Sequence, residues 1–243
     1  MVSDQEGDDE RVGRVLGVFL VVGAFALAIS LSITLSGVFG RFVPVGDPGT
    51  VSRLLVNVLG LQVVGFGIAS VFFLSLLDVE WRSYVRLGSL SWQVVYYGVF
   101  LGFVMMLVTV GATLLFMLVD IEPAQAQVGA ATDLSFYLVL FLVSTLVVVP
   151  MEELFFRGII QRHLEDALTP ALAIATASLL FSFVHTGATT GSGGELITLG
   201  LFIAFGVVLG LGYYVTENLL VPIVGHAMFN GIQILVRAVE VAL

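Results

Sequence analysis

Long apolar stretches separated by short polar ones set the rhythm of this chain. Apolar runs fall near 15–39, 53–77, 92–119, 134–160, 169–186, 196–216 and 219–237, and the segments between them hold nearly all the Pro, Asp and Arg. A helix needs about 20 apolar residues to cross a hydrocarbon layer of about 30 Å. The pattern therefore predicts seven membrane-spanning helices and an all-α, polytopic transmembrane bundle. The breaks carry turn chemistry: Pro44–Val45–Gly46–Asp47–Pro48–Gly49 is one, and Asp120–Ile121–Glu122–Pro123 ends a helix before an extended loop. Residues 186–195, rich in Gly, Ser and Thr, read as a loop. The expected organisation is an acidic, disordered tail over 1–14, a three-helix region over 15–133 and a four-helix core over 134–243, the last two forming one domain.

Composition agrees with the pattern. Of 243 residues 58% are hydrophobic and 11% charged, against about 25% charged in an average soluble domain, so there is too little polar surface to coat a soluble core. No cysteine is present, which excludes a thiol nucleophile, disulfides and cysteine-ligated metals. Nine arginines, no lysine and 18 acids provide no basic face for nucleic acid, and membrane lipid is the expected surroundings. The first apolar run is too long for a signal-peptide core and reads as a retained helix. With the N-terminus inside, Arg11, Arg14, Arg82, Arg86, Arg157 and Arg162 face the cytoplasm while Arg41, Arg53 and Arg237 do not. This arginine bias favours a cytoplasmic N-terminus; the plasma membrane of a prokaryote is the expected location.

Ionisable groups inside a span cost about 2.5–3.5 kcal/mol each on insertion scales, so each needs a partner, water or a task. Six polar positions in the last four runs raise that question: Glu152, Glu153, Arg157, His185, His226 and Asn230. Glu153 and Arg157 are four apart and share a helix face. Glu152 lies about 100° round from Glu153 and reads as the unpaired carboxylate. Pro150 removes an amide hydrogen, so a kink and a wet pocket are expected beside Glu152. His185 follows Phe181 by four residues, and Asn230 follows His226 by four, with Gly225 and Gly231 alongside. Singly, each histidine reads as a hydrogen-bonded packing residue; together, a carboxylate, two imidazoles and an amide supply what amide hydrolysis requires. Straight, untilted helices would set His185 closer to the outer face than Glu152, so convergence needs tilt, a kink at Pro150 or a shifted helix start. His163, in a turn beside Arg162 and Glu165, is assigned no role.

Glu152–Glu153…Arg157, Phe181…His185 and His226…Asn230, in that order, resemble the motifs of the CAAX-protease and bacteriocin-processing intramembrane proteases, also called type 2 CAAX prenyl protease or abortive-infection proteins. The resemblance covers residues 134–237 and implies an intramembrane endopeptidase. Glu152 and His185 would activate water, and His226 and Asn230 would stabilise the oxyanion. Glu153, Arg157 and Phe181 would support them. It also implies a peptide or protein substrate, with prenylated C-terminal CAAX sequences as one option. No metal is favoured, the alternative being zinc held by Glu152, His185 and His226. A non-catalytic scaffold or immunity protein, whose polar cluster locks the helices, is the competing reading.

Overall fold

The computed structural model describes residues 2–42, 50–77, 79–121, 125–126, 133–185, 189–190 and 194–243, without the side chains of 2–12, 14, 36, 39, 40, 42, 125, 126, 189 and 190. In chain order the helices are α1 (Val2–Phe42), α2 (Val51–Leu77), α3 (Trp81–Tyr84), α4 (Trp92–Leu118), α5 (Leu134–Ala167), α6 (Pro170–His185), α7 (Glu195–Thr216) and α8 (Leu220–Ala242). Six of them, counting Val15–Leu35 of α1, are long and apolar enough to cross a membrane among the described residues. The seventh expected span, α6, has 16 residues, about 24 Å of helix, and falls short of the hydrocarbon thickness. The fold is a polytopic helical bundle and the protein an integral membrane protein. Among the described residues the only strand pairing is a two-residue antiparallel one of Gln125–Ala126 with Thr189–Thr190. Helix α1 starts at Val2, where acidic residues near a helix N-terminus are electrostatically favoured. The turn at 43–49 lies outside the described residues.

Local chemistry marks the helix starts. Ser91 Oγ accepts from Val94 N at 3.3 Å to cap α4, and Asp133 accepts from Ser135 N at 2.9 Å to cap α5. Those bonds from Ser135, main chain and then hydroxyl, hold the Asp133 carboxyl below its ordinary range. Thr169 Oγ1 accepts from Leu172 N at 3.4 Å, with Pro170 at the first position of α6, where no amide hydrogen is needed.

Within α5 the backbone widens to i→i+5 turns over Ser144–Val148 and again over Leu154–Gln161. Pro150 sits between them. Its ring would strike the carbonyl four residues back, and the wider winding that precedes it relieves that conflict. The same winding rotates the downstream positions from where a regular helix would put them.

The core is aromatic where it meets the polar residues. Phe66 of α2 stacks on Phe155 of α5 at 4.8 Å, and Phe156 meets the Phe181 ring of α6 edge-on at 5.3 Å. On the other side α4 and α8 approach backbone to backbone through Gly98, Gly102 and Gly225. A Cβ on Gly98 would lie 2.5 Å from Val224 Cγ1 and one on Gly225 would lie 2.9 Å from the Gly98 carbonyl oxygen. Gly98→Ala is therefore expected to push α8 away from α4 and destabilise the protein by about 1–3 kcal/mol, read as a lowered unfolding temperature in detergent.

Candidate functional site

Arg157 of α5, His185 of α6 and His226 of α8 meet around the ring of Phe181. Glu152 and Glu153 are 5% and 0% exposed, Arg157 1% and His226 4%; unpaired burial of such groups would be prohibitive, so their partners define the site. Arg157 Nε lies 3.3 Å from Glu153 Oε2, and its guanidinium covers the Phe181 ring at 4.8 Å. Its Nη2 donates to the Gly206 carbonyl of α7 at 3.4 Å. The other Glu153 oxygen, Oε1, accepts from His226 Nδ1 at 2.7 Å. One buried carboxylate thus ties its own helix to α8.

Glu152 faces elsewhere, as the 100° step requires. Its Oε1 accepts from Gln62 Nε2 of α2 at 2.9 Å, and its Oε2 is 3.9 Å from His226 Nε2, beyond hydrogen-bond reach. The expected unpaired carboxylate is therefore held by a neutral amide, with His226 Nε2 beside it. Gln62 was missed at sequence level. Its signal was available: a glutamine inside the apolar run 53–77 needs a partner as much as a charge does.

His185 lies at the C-terminal end of α6 and joins the group through aromatic contact. Its ring is 4.4 Å from Phe181 and stacks on Phe202 of α7 at 4.5 Å; the His226 ring meets Phe181 from the far side at 6.0 Å. His185 Nδ1 is 2.7 Å from the Phe181 carbonyl oxygen. A carbonyl only accepts, so Nδ1 carries the hydrogen, and in the neutral ring Nε2 has a bare lone pair. Asn230, partly buried, stands one turn beyond His226 on α8.

His163, outside this group, meets Tyr84 Oη through Nδ1 at 2.9 Å and Phe73 edge-on at 5.1 Å, so it packs α5 against α2 and α3. Among the described residues no three His, Cys, Asp or Glu side chains are placed together to hold a metal ion.

Loss of the Gln62 amide removes a hydrogen bond to a carboxylate, a contact worth about 1.5–3 kcal/mol. If Glu152 must be held in place to act, Gln62→Leu is expected to lower kcat/KM by about tenfold or more, measured on peptide cleavage by the purified protein.

The model of the family described as type II CAAX prenyl endopeptidase Rce1-like matches residues 134–232. That range runs from the start of α5 into α8 and contains every polar residue of the site except Gln62. No curated protein and no solved structure gives a match. Over residues 134–232 the chain is thus similar to the type II CAAX prenyl endopeptidase Rce1-like family.

Proposed function

We propose that the protein is an intramembrane endopeptidase in which Glu152 and His185 activate a water molecule, His226 and Asn230 stabilise the oxyanion, and no metal takes part. The observation that carries this reading is the pair of bonds that fix the two imidazoles. His185 is anchored by Nδ1 to a main-chain carbonyl with Nε2 left as an acceptor, and His226 is anchored by Nδ1 to Glu153 with Nε2 turned toward Glu152. Each ring has one nitrogen assigned to holding it and one left for chemistry.

In the proposed reaction, water gives a proton to the Glu152–His185 pair as its oxygen bonds to the scissile carbonyl carbon. The carbonyl electrons move onto oxygen, where the Asn230 amide and a protonated His226 Nε2 donate to the developing charge. The stored proton then passes to the peptide nitrogen as the C–N bond breaks, releasing a carboxylate and an amine. Glu153, neutralised on one side by Arg157, orients His226 and stabilises its imidazolium. A peptide reaching this site must be membrane-associated, and a lipid-anchored C-terminal segment of the CAAX type is the substrate class that the family supports. The alternative is a zinc ion held by Glu152, His185 and His226. Cleavage of a lipid-anchored peptide in nanodiscs is expected to persist after exhaustive chelation; activity that vanishes with a chelator and returns with zinc would replace this mechanism by a metal-dependent one.

A further inference from the structure

Helix α8 is the least apolar of the six long spans, with a mean hydropathy of 1.3 where the others reach 2.0–2.5. Its polar residues lie in a stripe. His226, Asn230, Gln233 and Arg237 advance by four, three and four positions, which keeps them within an arc of about 60° on a regular helix. Burial falls steadily along it, from buried His226 through partly buried Asn230 to exposed Gln233 and Arg237. At the outer half of the stripe Gln233 and Arg237 line a cavity of about 560 Å³ whose facing wall carries Thr109, Thr113 and Asp120 of α4 and the turn after it. Leu201, also lining it, precedes the Phe202 that stacks on His185. From Gln233 the helix rises about 4.5 Å to Asn230 and about 6 Å more to His226.

An amide and a guanidinium exposed on a membrane span are costly in hydrocarbon and stable against water. Two threonines opposite them on an otherwise apolar α4 extend the same polar wall, and the volume accommodates several waters at about 30 Å³ each. We propose that this cavity is an aqueous vestibule, opening at the Arg237 end of α8, that supplies the hydrolytic water to the site at His226 and Asn230. Its use rests on the peptidase reading; its existence does not.

Because the chain contains no cysteine, single cysteines report the environment directly. Gln233→Cys and Thr113→Cys are compared in nanodiscs with Leu235→Cys and Leu114→Cys, which sit at matching depths on exposed apolar faces, using a charged, membrane-impermeant methanethiosulfonate. A wetted thiol ionises and reacts, whereas one in hydrocarbon does not, so the first pair is expected to react at least about tenfold faster. Equal rates in the two pairs would overturn the vestibule. Modification of Gln233→Cys is further expected to suppress peptide cleavage while Leu235→Cys exposed to the same reagent retains it; rapid labelling of Gln233→Cys with undiminished cleavage would overturn the water-supply role. Absence of cleavage by the unmodified protein would count against the peptidase, leaving the labelling contrast to judge the vestibule on its own.

Discussion

Glu152→Gln is expected to lower kcat/KM for peptide cleavage by roughly a hundred- to ten-thousand-fold, the range over which general bases contribute, with thermal unfolding close to that of the parent chain. The substitution keeps the volume and leaves an amide oxygen to accept from Gln62 Nε2, which now lies 2.9 Å from the carboxylate. It removes only the basicity. The competing scaffold reading assigns Glu152 to locking helices together, so it expects the opposite division: unfolding shifted and no catalytic step to lose. Measuring both quantities on one preparation separates the two readings.

The second large effect concerns stability. Arg157→Leu strands the Glu153 carboxylate, which is fully buried and has the guanidinium 3.3 Å away. Removing one partner of a buried ion pair costs about 3–5 kcal/mol because the other charge stays in a low-dielectric interior. Stability should return in large part in Glu153→Met/Arg157→Leu, since no charge is then left uncompensated. Cleavage should stay low in that double variant, because His226 Nδ1 has lost the acceptor it meets at 2.7 Å. A double-mutant cycle of unfolding temperatures in nanodiscs checks the first statement and an activity assay on the same four proteins checks the second.

Much of this arrangement was legible in the sequence because it is local. The apolar runs marked the spans to within a few residues, and the spacing of Glu153 with Arg157 anticipated an ion pair that helix geometry brings about without help from other elements. Long-range pairing is another matter. Nothing within α8 says that His226 meets Glu153, 73 positions away, or that the carboxylate left over by Arg157 would find Gln62 on α2. The close approach of α4 and α8 had a readable sign in Gly98-x-x-x-Gly102, but which helix it contacts depends on packing. The wide turns flanking Pro150 were also out of reach: a proline announces a disturbed helix, whereas the way the backbone absorbs it is decided by the neighbours it must fit.

In the proposed mechanism, Phe181 gathers a working hydrolytic site. Its most direct test is cleavage of a lipid-anchored peptide by the purified protein in nanodiscs, compared between the parent chain and His185→Ala, with unfolding followed in parallel. Cleavage by the parent and loss of turnover in a still-folded variant are expected, with a modest drop in unfolding temperature because the truncation also removes the ring contacts with Phe181 and Phe202. Undiminished turnover in His185→Ala, or a folded parent protein that cleaves no membrane-anchored peptide, would contradict the mechanism.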